Sequence, residues 1–232
     1  MNGGLGSVFF AVLAFVGGHF VLSWPPVRSK LVRALGETLF TGVYSLVMVL
    51  FLIWLVAAYC VAPPLVIWDF GPLANLVPLL TMPFALILAV LGLTSRSPTA
   101  VMGERLLRAQ VPAAAGALTI TRHPFLCGVA LWALAHLIAN GDAASIMLFG
   151  GMACLSIGGM SAIDRRRARE LGDAWSSFAG QTSRVPFAAV LSGRTRPDWV
   201  GIGWVRPLVG LGLYVALLFG HDWLFGVPAL VL

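Results

Sequence analysis

Charge is what this sequence has least of. Of its 232 residues, 10% are Asp, Glu, Lys or Arg, against about 25% in an ordinary soluble domain. Mean hydropathy is +0.92. That shortage excludes a soluble fold of this length. Cysteine is scarce too: Cys60, Cys127 and Cys154 stand in or beside apolar stretches at no metal-ligand spacing, which suits small buried apolar side chains. The chain lacks HExxH, a Cys pair and any carboxylate–histidine cluster of the sort zinc or di-iron sites need. It also lacks GxGxxG and Walker motifs, so any redox chemistry would come from a separately bound cofactor. No composition shift, low-complexity tract or repeat divides it. The expectation is one membrane domain over residues 1–232.

What is present is long apolar runs. They cover about Gly4–Leu22, Leu39–Val61, Leu73–Thr94, Pro124–Ala139, Ala143–Ile163 and Val205–Gly220, most of them near the twenty residues that span a bilayer. The first has no basic residue before it and no small-residue cleavage site after it, so it reads as a retained helix rather than a signal peptide. The fifteen Lys and Arg residues fall only in alternate connections: Arg28–Arg33, Arg96–Arg122 and Arg165–Arg206. Ala62–Pro72, Asn140–Asp142 and the end after Gly220 have none. The positive-inside rule then gives six helices with both termini on the non-cytoplasmic face. The net charge of +6 follows from that topology, and no nucleic-acid role is expected. Lipid is the expected surrounding.

Between the helices, "SWPPVRSK" and "WDFGP" put Trp24 and Trp68 at helix ends, where aromatic residues anchor to the interface. "GERLLR" (103–108) suits a turn or two on the cytoplasmic surface, while Pro112 and Gly116 oppose a continuous helix to Ile120. "DRRRAR" (164–169) extends the fifth helix out of the membrane as a solvated basic end. The segment after it, through "TSRVPFAAVLSGR", is polar but carries Trp175 and Phe178. It reads as a cytoplasmic lid folded back on the helices.

Histidine is costly in a membrane unless it has a partner or a ligand. His123 directly precedes Pro124, which favours the first helical position while excluding its predecessor from the helix. His123 and Arg122 therefore stand at a cytoplasmic helix entrance, as candidates for capping, head-group contact or substrate binding. His136 is about 20 Å further along the same helix and about 220° round it, so the two rings serve different sides. His19 follows two glycines, which admit a planar group or another helix. Measured from Arg28 it lies about 13 Å inside, and His136 lies about 21 Å inside from Arg122. Helix tilt can bring His19 and His136 to one iron. A membrane boundary at Ser23 would instead match His19 in depth with His123. His221, at the outer end of the last helix, suits an interface role. Asn140-Gly141-Asp142 reads as a tight turn.

Three blocks, "GGHFVLSWPPVRSKLVRALGETLFTGVYSLV", "TRHPFLCGVALWALAHLIANGD" and "DRRRARELGDAWSSFAGQTSRVPFAAVLSGR", together resemble the bacterial NnrU family, which is related to plant 15-cis-zeta-carotene isomerase. The resemblance runs from about Phe10 to Arg194. It implies a polytopic all-α helical bundle in the bacterial inner membrane that binds haem b. His19 and His136 correspond to the proposed axial ligands, and His123, with Arg122 beside it, to a functionally important position. The implied chemistry is cis–trans isomerisation of a lipophilic polyene, or haem chemistry linked to nitric oxide and denitrification. The RHP block and the "VP" return also resemble membrane methyltransferases that use S-adenosylmethionine, but Asp164 and a run of arginines stand where an acidic pair is expected. A cofactor-free assembly factor is the remaining alternative.

Overall fold

Prolines, glycines and arginine clusters cut the apolar chain into helices in the computed structural model, which describes residues 4–99 and 114–230. In chain order these are α1 (Leu5–Ser23), α2 (Pro25–Leu35), α3 (Glu37–Cys60), α4 (Pro72–Thr94), α5 (Pro124–Ala139), α6 (Ala143–Leu171), α7 (Asp173–Gln181), α8 (Ala188–Leu191), α9 (Trp199–Ile202) and α10 (Val205–Phe225). Among the described residues there is no strand, only an isolated bridge between Val66 and Asp142. Five helices, α1, α3, α4, α6 and α10, are long and apolar enough to cross a membrane, so the expected all-α, multi-pass architecture is found. The sixth, α5, has 16 residues, or about 24 Å, less than the roughly 30 Å hydrocarbon layer. Pro124 fixes its start and the Asn140–Gly141 turn its end. The expected surface turn at 103–108 and the break at Pro112 lie outside the described residues.

The described residues fall into two compact units. The first comprises Met1–Phe70 and His136–Leu155. Val8, Ala11 and Phe15 of α1 form a helical stripe that packs with Met48, Leu55 and Ala58 of α3 and Ala144 of α6. Phe9, Phe10 and Leu13 on the other side of α1 are exposed, as a lipid-facing surface requires. Tyr59 and the fully buried Ser145 satisfy each other at 2.8 Å. The Asn140–Asp142 turn is paired rather than merely tight. Gly141 offers its carbonyl to the amides of Ile67 and Trp68 at 2.7 and 3.1 Å, and Ala143 donates to Leu65. Asp142 caps α6 by accepting from the Ser145 amide. A Cβ at position 141 would strike the Trp68 carbonyl, so glycine is required there.

The second unit comprises Gly71–Ala135 and Ser156–Leu232. Here α10 lies against α4 so closely that a Cβ on Gly210 would stand 2.7 Å from the Ile87 Cα. Small residues permit such approaches between membrane helices. Pro83 lies inside α4 and has no amide to give the Leu79 carbonyl one turn earlier. The Tyr214 hydroxyl of α10 donates to that same carbonyl at 3.0 Å. A backbone group that lipid would leave unsatisfied is thus paired between helices. At the arginine-bearing end, α9 packs on the 3-10 turn Gly116–Thr119, with Ile202, Ala117, Ile120 and Leu91 buried together. Asp198 ties the two by accepting from the amides of Gly116 and Gly201 at 2.7 and 2.9 Å.

Replacing Gly210 with Ala should cost about 1–3 kcal/mol through overpacking. Gly212→Ala, which meets open space, should cost nothing measurable. Tyr214→Phe should cost about 1 kcal/mol or more, because it orphans the Leu79 carbonyl. Unfolding midpoints in a detergent titration measure all three.

Candidate functional site

The densest polar cluster in the second unit centres on Asp164 of α6. Proline at the head of α5 leaves Arg122 and His123 just off the helix, with their side chains free to turn toward α6. The His123 Nε2 donates to Asp164 Oδ1 at 2.7 Å. The Arg122 guanidinium donates through Nε and Nη2 to Oδ2 at 3.1 and 3.0 Å, and Arg184 Nε reaches the same oxygen at 3.3 Å. One carboxylate therefore serves three donors. Arg122, His123 and Asp164 are all buried, so the ion pair is screened little by solvent. Burial lowers the pKa of His123 from its ordinary 6.5, more than the Asp164 hydrogen bond raises it. The imidazole is accordingly neutral, with its proton on Nε2.

The same residues lock a returning strand of chain in place. Arg122 Nη1 donates to the Thr182 carbonyl at 3.1 Å, and its amide donates to the Ser183 carbonyl at 2.9 Å. The fully buried Thr121 hydroxyl donates to the Arg184 carbonyl at 2.8 Å. The Phe187 amide donates to the Ile120 carbonyl at 2.8 Å. Ahead of this, α7 turns Trp175 and Phe178 inward onto Leu118. The expected lid thus exists as a segment docked on residues 118–122. The basic end of α6 is less solvated than expected: Asp164 and Arg167 are buried, and Arg167 pairs with Glu170 at 3.0 Å.

In the first unit, α1 passes through a π-helical turn at Leu13–Gly17, a distortion that often marks functional positions. His19 follows it. Its Nδ1–H donates to the Phe15 carbonyl at 2.7 Å, and its ring lies edge-on to Phe15 and Tyr44. The bond fixes the tautomer and leaves Nε2 with a lone pair, the usual arrangement of a ligating histidine. Of the two uses foreseen for the preceding glycines, Gly18 serves helix packing, facing Met48 and Phe51 of α3. The His136 ring, half-buried, lies 5.2 Å from that of Phe149. Gly151 of α6 abuts Val12 and Val16 of α1.

The structure brings Arg122 and His123 together on Asp164, and it places His19 and His136 on separate helices of the first unit. His221 bonds the Val227 carbonyl at 2.7 Å past the end of α10. Asp164 and Arg184 were missed as site residues. A lone acid closing an apolar run beside three arginines was the available signal for Asp164; Arg184 carried none.

A protein-family model described as NnrU protein matches residues 8–229. Two curated relatives are the chloroplastic 15-cis-zeta-carotene isomerases of Zea mays and Arabidopsis thaliana. They are 33% identical over 81 residues and 35% identical over 79, which is 35% and 34% of this chain. The match spans 22% of the length of each relative. No solved structure matches the chain.

Removing the Asp164 carboxylate strands two arginines, one of them buried. Asp164→Ala should destabilise the protein by about 3 kcal/mol and expose residues 182–194 to limited proteolysis. Because the native pKa of His123 is lowered, its contribution is fully present above 6.5 and is lost as pH falls through the native value. Thermal stability should therefore drop on acidification from about pH 7 to about pH 5. His123→Gln, which keeps a donor without titrating, should flatten that slope.

Proposed function

The chain belongs to the NnrU family, and from that premise we propose that it is a membrane isomerase that acts on a lipophilic polyene and carries haem b on His19 and His136. The identity shared with the two carotene isomerases supports the reaction class. The observation that carries the cofactor assignment is the His19 imidazole, held at Nδ1 by the Phe15 carbonyl beside a π-helical turn. The donor chemistry fits the group: two imidazoles stand on separate helices of the first unit, and the Phe15 bond leaves the His19 Nε2 its lone pair. When bound, haem would supply a Lewis-acidic iron, so that a double bond is rearranged without net redox change.

The chain's own residues do the rest. Phe15 orients His19, while Phe149 supports His136 from α6. Arg122 and His123 are positioning residues in this proposal. They are spent on Asp164 and on the backbone of the returning segment, which keeps the arginine-bearing end closed to water. By the positive-inside rule that end faces the cytoplasm, and both termini lie on the other side of a bacterial inner membrane.

The test is turnover by purified protein in lipid nanodiscs, supplied with a 15-cis polyene and assayed for the all-trans product by chromatography. The wild type should convert it, with haem bound at one equivalent per chain. His19→Ala and His136→Ala should abolish both conversion and haem, and Arg122→Lys should keep haem while slowing conversion. A colourless protein that binds S-adenosylmethionine would establish the methyltransferase reading instead.

A further inference from the structure

Among the described residues outside the spanning helices, residues 185–204 carry a concentration of exposed large apolar side chains. Leu191 is 86% exposed, Val200 94% and Trp204 74%, with Val185, Phe187 and Trp199 also exposed. A soluble surface rarely concentrates such residues without a partner. Their height relative to the membrane is fixed by hydrogen bonds. Phe187 is pinned to Ile120, four residues before α5 begins. Trp199–Ile202 is pinned through Asp198 to Gly116, and Trp204 immediately precedes α10. The whole stretch therefore lies within a few residues of the starts of two membrane helices, at the level of head groups and upper acyl chains.

Basic residues outnumber acidic ones along the stretch. Arg194, Arg196 and Arg206 accompany Arg184, and the one acid, Asp198, is occupied with two backbone amides. Phe187 sits at φ +63°, a region a bulky residue rarely adopts. That conformation starts α8 and leaves the Phe187 ring exposed beside Val185. Apolar and aromatic side chains with flanking arginines at this depth are the composition of an interfacial membrane anchor.

We propose that residues 185–204 insert into the lipid interface of the arginine-bearing leaflet, with apolar side chains in the acyl boundary and arginines on anionic head groups. The segment is then a re-entrant anchor as well as a lid. The Ile120 carbonyl, the Thr119 hydroxyl and the Gly116 amide hold its inner side to the protein, and lipid covers its outer side. This inference stands apart from the haem and isomerase reading, since it rests on the second unit alone.

Spin labels at Leu191→Cys and Val200→Cys test it, in a background lacking Cys60 and Cys154, with the full chain in nanodiscs. Ser177→Cys on the exposed side of α7 is the aqueous reference. Collision with oxygen should exceed collision with a water-soluble nickel chelate at 191 and 200, with the order reversed at 177. Exchanging phosphatidylglycerol for phosphatidylcholine should lower the ratio at 191 and 200 several-fold. Nickel accessibility at 191 and 200 equal to that at 177 would overturn the insertion. Shielding from both reagents would overturn it in favour of a protein partner or a second copy, and a ratio indifferent to lipid charge would remove the arginine contacts.

Discussion

The carboxylate of Asp164 is the interaction on which the arginine-bearing end depends. A charge at the edge of a membrane helix is tolerated only when it is paired, and this one accepts from His123, Arg122 and Arg184 at once. The donors come from two pieces of chain: His123 and Arg122 from the approach to α5, and Arg184 from the returning segment that follows α7. Losing the carboxylate would therefore undo more than one contact. The remaining guanidinium donors face carbonyls of the returning backbone, which is why the lid is held by its main chain as well as by side-chain packing.

A second constraint is that lipid offers no hydrogen bonds. The fold meets it at each irregularity. Pro83 frees a carbonyl that Tyr214 takes up, and the Ala62–Phe70 loop closes its amides onto Gly141. The π-helical turn in α1 leaves the Phe15 carbonyl to the His19 ring. The last case differs from the others in consequence. Proline and glycine irregularities shape the packing, whereas the bond from His19 to the Phe15 carbonyl sets the tautomer of its ring and leaves a lone pair on the other nitrogen.

Much of this architecture was legible in the sequence because membrane helices announce themselves locally. Six apolar runs fell on five spanning helices and one short one, and Pro124 and Asn140 marked the bounds of α5. The separation of His123 from His136 followed from helical geometry. Long-range pairings were another matter. Nothing local to Asp164 states that it will meet residues some forty positions earlier and twenty later, and Arg184 reads as one more positive-inside residue. Gly141 looked like a helix stop because its partner, Trp68, is remote in sequence. The basic end of α6 looked solvated because nothing in the run of arginines distinguishes the buried Arg167 from its more exposed neighbours.

These strands meet in the division of labour among the histidines. Asp164 commits the His123 Nε2, and the proposal assigns His19 and His136 as the ligand pair for an iron. The ferric electron paramagnetic resonance spectrum of the purified protein tests that division most directly. The wild type should give the low-spin signal of an iron with two imidazole ligands, and His123→Gln should retain it. His19→Ala and His136→Ala should each lose it. A low-spin signal that disappears in His123→Gln and survives in His136→Ala would contradict the assignment.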